Sequence, residues 1–236
     1  MSTSNLPFVE AFGPTLQGEG PAAGRVSDFL RFGGCNLSCS WCDSAYTWNA
    51  RDYDLREEIT MMTPAQVLDA APNKAPLMIV TGGEPLLNQH KDTFIDVLDG
   101  IRARGQLIHI ETNGTILPNP QVQALVDTFI VSPKLAHAGA HKRTQDPKLH
   151  PGWGTLHPAV NAHMKVVVEE PADIDTTVDL ATNHHWPLDK VWVMPEGTTT
   201  ETLTRRWPWV AQDAANAGIN ASHRLHVLAW NDERGH

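Results

Sequence analysis

Short apolar bursts rich in β-branched residues recur along this chain, separated by longer stretches whose apolar positions fall three and four apart. The bursts are VSDFLRF (26–32), LMIVTGG (77–83), QLIHIETNG (106–114), DTFIVSPK (127–134), HMKVVVEE (163–170), KVWVMPEG (190–197) and RLHVLAW (224–230). Most end on Gly, Pro or Asn, as buried parallel strands do, and the pattern predicts a strand at each. Helices are predicted between them, at 63–71, 91–104, 119–126, 173–183 and 199–217. In TPAQVLDAA, Thr63 supplies a cap and Pro64 a preset first-turn φ. Across 91–104, Phe94, Val97, Leu98 and Ile101 share one face. Alternation of strand and helix predicts an α/β fold with right-handed crossovers and a parallel sheet or barrel. Segment 135–160, rich in His, Pro and Gly, reads as a long loop. TGGEP, ETNG, SPK and MPEG each close a predicted strand, at the edge where parallel α/β proteins bind ligands, so one shared site is expected there.

Composition narrows the classes. A chain of 236 residues suits a single domain, and a domain that long buries roughly 70–75% of its unfolded surface without needing staples. Its formal charge of −9 argues against a nucleic-acid partner gripped by a broad basic surface. No stretch approaches the about 18 apolar residues of a spanning helix, so no membrane partner is expected. The N-terminus lacks the basic-then-apolar order of a signal peptide, and the expected location is the cytoplasm, where thiols stay reduced.

All three cysteines lie in CNLSCSWCDS (35–44), as Cys35, Cys39 and Cys42 in a C-x3-C-x2-C spacing. An odd trio cannot pair fully into disulfides. One reading is a zinc knuckle completed by a histidine, but structural zinc sites usually pair two short halves. Here there is no second half, and the next histidine is His90. The other reading is an iron–sulfur cluster, whose cubane form takes four thiolates. Three thiolates leave one iron open to a substrate or cofactor. Gly33 and Gly34 allow a tight turn before the loop, and Trp41 is placed to shield the cluster or pack on a flat heterocycle.

With an aromatic before the last cysteine and TGGEP at 81–85, this loop resembles the radical S-adenosylmethionine superfamily. The order TLQGEG (15–20), RFGGCNLSCSWCDS (31–44), TGGEP, ETNG (111–114), SPK (132–134) and MKVVV (164–168) resembles one family within it, the 7-carboxy-7-deazaguanine synthases. That resemblance implies a modified or incomplete TIM-like (β/α) barrel, a single domain over 1–236 with its cluster loop at 33–44, acting as a homodimer. It implies a lyase of 7-deazapurine (queuosine-type) biosynthesis. Such an enzyme converts 6-carboxy-5,6,7,8-tetrahydropterin to 7-carboxy-7-deazaguanine with loss of ammonia, fed by an external flavodoxin-like reductant. Implied cofactors are a [4Fe–4S] cluster, S-adenosylmethionine and Mg2+.

Residue by residue, the resemblance implies cluster ligation by Cys35, Cys39 and Cys42. Trp41, Cys42, Asp43, Gly83, Glu84, Asn113, Ser132, Pro133 and Lys134 would surround S-adenosylmethionine, with Glu84 receiving its ammonium. Leu16, Gln17, Gly18, Glu19, Arg31, Thr81 and His236 would frame the pterin, Arg31 clamping its carboxylate. Ser44, where the family commonly has threonine, would ligate Mg2+, which favours oxygen. Ser44, Arg31 and Glu19 are the expected catalytic residues. The tail departs from the family: LHVLAWNDERGH, in the region 223–236, stands where many members have a QTHKYL-like segment. Trp230 falls near the family histidine, and His226, Arg234 or the His236 carboxylate are candidates to replace it. Two rival readings stay open here, a glycyl-radical-enzyme activating protein and a zinc-based interaction module.

Overall fold

The computed structural model describes residues 5–141, 144, 147–157, 159–231 and 233–235. Nine strands form one sheet: β1 (Leu6–Leu16), β2 (Val26–Phe32), β3 (Thr60–Met62), β4 (Leu77–Gly82), β5 (Leu107–Thr112), β6 (Thr128–Val131), β7 (Ala162–Val168), β8 (Val191–Pro195) and β9 (Asn220–Ala221). Their order is β3-β1-β2-β4-β5-β6-β7-β8-β9. From β2 to β9 every neighbouring pair is parallel, while β1 runs antiparallel to both β2 and β3. Residues of β1, β2, β4, β5, β7 and β8 all touch one cavity, so the sheet curls around it without its end strands pairing. The result is the incomplete (β/α) barrel expected from the sequence. No helix among the described residues is long and apolar enough to cross a membrane.

Helices α1 (Leu55–Glu58), α2 (Pro64–Ala70), α3 (Asp92–Ala103), α4 (Pro120–Leu125), α5 (Trp153–Leu156), α6 (Ala172–Asn183), α7 (Thr200–Asn216) and α8 (Leu225–Trp230) complete the chain. The predicted start of α2 is a full capping box: Thr63 Oγ1 accepts from the Gln66 N–H, and Gln66 Oε1 accepts from the Thr63 N–H. Phe94, Val97, Leu98 and Ile101 of α3 are fully buried against the sheet, in one core with Met78, Val80, Ile108 and Ile110. Strand alternation then decides where function sits. Met78 and Val80 of β4, Ile108 and Ile110 of β5, and Met164 and Val166 of β7 enter that helix-side core. Their neighbours Thr81, Glu111 and Lys165 turn inward to the cavity.

Two expectations are corrected, and one strand goes beyond them. Segment 224–230 is not a strand: it forms α8, because a short apolar run suits either element and RLHVLAW holds only Val227 as a β-branched residue. The loop 135–160 contains a turn at Ala136–Ala138 and α5, whose Trp153 is fully buried. The long β1 escaped the pattern because LPFVEAFGPTL carries Gly13 and Pro14, which read as breakers. The strand absorbs them through a register shift between Phe12 and Thr15.

Candidate active site

At the C-terminal ends of the parallel strands lies a cavity of about 490 Å³, within the range of small-molecule sites. Its first wall is the loop after β2. Gly34 turns with φ +89° and donates its N–H to the Thr47 carbonyl at 2.8 Å. The TGGEP strand end lies backbone to backbone on this turn: Gly83 N–H donates to Phe32 O at 3.0 Å and Glu84 N–H to Gly34 O at 2.8 Å. A Cβ on Gly83 would sit 2.0 Å from Gly34 O, so glycine there is a packing requirement.

Cys35, Cys39 and Cys42 are free thiols on this wall, all facing the cavity. Donors point at two of the sulfurs. Leu37 N–H lies 3.4 Å and Asn113 Nδ2 3.9 Å from Cys35 Sγ, and Trp48 Nε1–H lies 3.3 Å from Cys42 Sγ. Burial pushes the Cys35 thiol up to about 12; the Leu37 N–H opposes this, while Glu84 and the other two thiols add to it. Crowded, desolvated thiols of this kind become thiolates when a cationic metal group sits among them. Among the described residues no three Cys, His, Asp or Glu side chains converge as ligands of a single ion do. Three cavity-facing thiols, two of them met by N–H donors, suit the thiolate ligation of an iron–sulfur cluster.

Around the thiols stand the groups expected near S-adenosylmethionine. Trp41 stacks on His137, with centroids 5.6 Å apart, and donates Nε1–H to His137 Nδ1 at 3.0 Å. Lys134 Nζ lies 5.5 Å from the Trp41 ring centroid and donates to Ser132 Oγ at 2.9 Å. Asn113 joins the lining and is braced by a 2.8 Å bond from Nδ2 to Asn36 Oδ1. Pro133 and Glu84 are not part of the lining. Glu84 is buried, and its oxygens accept from Leu86 N–H (3.0 Å), Thr112 Oγ1 (2.9 Å) and Asn113 N–H (2.7 Å). Burial pushes its carboxyl up to about 7 against those bonds. These bonds brace the end of β4 against the end of β5, beside the turn that carries Cys35.

The opposite wall is built from TLQGEG, β2, β4, β5, β7 and the tail. Lys165 Nζ donates to Glu19 Oε2 at 2.6 Å and to Glu111 Oε1 at 3.1 Å. Gln17 Nε2 reaches Glu111 Oε1 at 3.3 Å, and Thr81 Oγ1 donates to Glu111 Oε2 at 2.8 Å. Glu19 also accepts from Arg224 Nε at 2.9 Å. Burial opposes charge on Glu19, yet Lys165, Arg224 and His226 together hold its carboxyl well below the usual range. Arg224 further binds the Gly197 carbonyl (2.6 Å) and Asp43. It thus ties TLQGEG to the thiol loop and to the end of β8. Desolvation in the cavity wall works against Asp43 too, although its side chain is exposed, and Arg224 outweighs it, lowering that carboxyl. Ser44, beside Asp43, lines the cavity with its hydroxyl 3.7 Å from Cys42 Sγ, leaving a hard oxygen facing inward.

The tail occupies ground the sequence left open. Leu225 N–H donates to Gly18 O at 3.0 Å, and a Cβ on Gly18 would lie 2.0 Å from His226 Nδ1. His226 Nε2 stands 3.8 Å from Glu19 Oε1. Further along, Arg234 donates Nε–H to Glu10 Oε2 at 2.7 Å and Nη1–H to Glu58 Oε2 at 2.8 Å, over the ring of Tyr46. Glu10 also accepts from Tyr46 Oη (2.9 Å) and from Arg31 Nε (2.8 Å). Arg31 is thereby aimed through its Nε while it lines the cavity, as does Leu16. His236 lies outside the described residues.

Of the expected site residues among the described ones, all but Glu84 and Pro133 line the cavity. Sequence reasoning missed Glu10, Tyr46, Trp48, Glu111, Lys165 and Arg224. For Glu111 and Lys165 the signal was present: each is the polar position in an alternating strand at the ligand-binding edge. Arg224 gave no such signal, since its partners lie 181 and 205 positions away.

Comparison with known proteins agrees with this geometry. Residues 30–194 match the model of the Radical SAM superfamily. A 7-carboxy-7-deazaguanine synthase of Halobacterium salinarum is 36% identical over 248 residues, covering 96% of this chain and 91% of the relative. Another, of Pyrobaculum aerophilum, is 30% identical over 239 residues and covers 99% of both. The fold is shared with the crystal structure of QueE from Escherichia coli, at TM-score 0.62 and 23% identity over 93% of each chain. By likeness along nearly its whole length, the chain belongs to the radical S-adenosylmethionine superfamily and, within it, to the 7-carboxy-7-deazaguanine synthases.

Proposed function

We propose that this cavity converts 6-carboxy-5,6,7,8-tetrahydropterin to 7-carboxy-7-deazaguanine with loss of ammonia, and that its two walls divide the work. The superfamily's cofactors, S-adenosylmethionine and a [4Fe–4S] cluster, supply reductive radical generation for hydrogen abstraction when bound. Cys35, Cys39 and Cys42 hold the cluster. Trp41, Asn113, Ser132 and Lys134 hold the nucleoside and amino-acid ends of S-adenosylmethionine, beside the Gly83 backbone.

The observation that carries the substrate reading is the paired-charge floor opposite the thiols. Glu19 and Glu111 share Lys165, and Gln17 and Thr81 fix Glu111. A pterin presents a guanidine-like edge of N–H donors, which two oriented carboxylates and an amide oxygen match. Arg31, aimed by Glu10 through its Nε, keeps its terminal nitrogens for a carboxylate. Ser44 supplies the protein oxygen for Mg2+, the remaining ligands coming from substrate and water. His226 stands in for the family's tail histidine beside Glu19. The curled sheet keeps bulk solvent from the reacting centre. The reductant is an external flavodoxin-like protein, the assembly a homodimer and the location the cytoplasm.

The test is an anaerobic assay of the iron-reconstituted protein with S-adenosylmethionine, reductant, Mg2+ and the carboxy-tetrahydropterin, read by mass spectrometry. Formation of 7-carboxy-7-deazaguanine, reduced when Mg2+ is withheld and lowered further in Ser44→Ala, is expected. Cleavage of S-adenosylmethionine to 5′-deoxyadenosine with no deazaguanine would reject the substrate reading and leave the glycyl-radical-activating alternative.

A further inference from the structure

The proposed reaction leaves the indole of Trp48 without a task, yet it is held with care. Trp48 follows the thiol loop, buried at the end of the turn Ala45–Thr47. That turn is fixed at both ends. Gly34 N–H donates to Thr47 O at 2.8 Å, Thr47 Oγ1 donates to Ser44 O at 2.8 Å, and Trp48 N–H donates to Ala45 O at 3.1 Å. The indole Nε1–H then lies 3.3 Å from Cys42 Sγ. An indole nitrogen only donates, so the sulfur is the acceptor, and the bond strengthens as the sulfur gains negative charge. The other indole of this loop, Trp41, donates instead to His137 at 3.0 Å.

We infer that Trp48 is a positioning residue that fixes the Cys42 sulfur and raises the reduction potential of the cluster, so that a weak biological reductant can load it. The inference rests on the cluster reading of the three thiols. Adding an electron to an iron–sulfur cluster places part of the charge on its sulfurs, and hydrogen bonds to those sulfurs favour the reduced state. Losing one such bond is expected to shift the one-electron reduction equilibrium about tenfold toward the oxidised form, which is about 59 mV.

The experiment is a redox titration of the reconstituted full-length protein, wild type against Trp48→Phe, with the reduced cluster followed by electron paramagnetic resonance and iron counted per chain. Phenylalanine keeps an aromatic filler and removes the donor. A midpoint lowered by about 59 mV at equal iron content supports the role; an unchanged midpoint at equal iron overturns it. Should Trp48→Phe fold poorly, wild-type protein carrying 15N-indole tryptophan gives a second reading. A nitrogen coupling to the reduced cluster in pulsed spectra that persists in Trp41→Phe supports the bond, and its absence overturns it. If wild-type protein binds no iron at all, the cluster reading falls and the inference with it, an outcome distinct from equal iron with equal potential.

Discussion

At the scale of single residues, the site is governed by Lys165, a cation buried between two carboxylates. Burial disfavours its charge, but Glu111 and Glu19 raise its pKa above the ordinary lysine value, so it stays protonated at any physiological pH. Removing one partner from a buried ionic group leaves the others uncompensated, which costs about 3–5 kcal/mol. Lys165→Met is therefore expected to lower stability by about that amount in chemical denaturation at neutral pH. The sign of the pH dependence follows from Glu19, whose folded pKa lies well below its ordinary 4.5. Its stabilisation is present above that value and is lost as pH falls through the folded one, so the gap between wild type and Lys165→Met narrows below about pH 4.5. A gap that is small at neutral pH, or that widens in acid, would contradict this account. The same residue shows what was legible: MKVVV was visible as a strand, and counting alternate positions places Lys165 inward. What no local pattern gave was its pairing with residues 146 and 54 positions away.

Among the elements, the contact that matters most is between the TGGEP strand end and the loop after β2. Both are glycine-rich for one reason: their backbones touch. A methyl group on Gly83 would meet the Gly34 carbonyl at 2.0 Å, and backbone cannot swing aside as a side chain can. Overpacking of this kind costs about 1–3 kcal/mol, and here the strain falls on the loop that carries Cys35. Gly83→Ala is expected to lower the melting temperature and to bind less iron on reconstitution than wild type, measured on the same preparations; full iron binding would show that the loop tolerates the shift. The motif was readable because its spacing is local. The helix α8 was not, because RLHVLAW has too few residues for either period to declare itself. Its identity is set by docking, through Leu225 on Gly18 and Arg224 on Glu19, and tertiary contacts of that kind are invisible to a window of sequence. β1 failed for the opposite reason, since local breakers were present and the sheet overrode them.

For the molecule as a whole, the strand–helix alternation was enough to give a curled parallel sheet with its site at one edge, and the stability of that sheet now has two opposed pH limits. Glu10, Glu19 and Asp43 are all held below the usual carboxylate range; each is opposed by desolvation, and their arginine and lysine partners win. They stabilise the fold above their ordinary pKa values and are lost in acid. Glu84 acts in the other direction. Desolvation in the seam between β4 and β5 raises its carboxyl from 4.5 to about 7, so the folded protein holds a proton there that the unfolded chain releases. Its contribution is complete below pH 4.5 and disappears as pH rises through about 7, a swing of about 3 kcal/mol for a rise of that size. Glu84→Gln removes the titration while keeping an acceptor for the Leu86 N–H and the Thr112 hydroxyl. Denaturation of both iron-free proteins from pH 4.5 to 8 isolates the effect, because every other titrating group is common to the pair. The stability of wild type relative to Glu84→Gln should fall steadily across that window and level off above it. A difference independent of pH would mean that Glu84 is ionised throughout, that its three donors outweigh its burial, and that the carboxylate is after all charged beside the thiol loop.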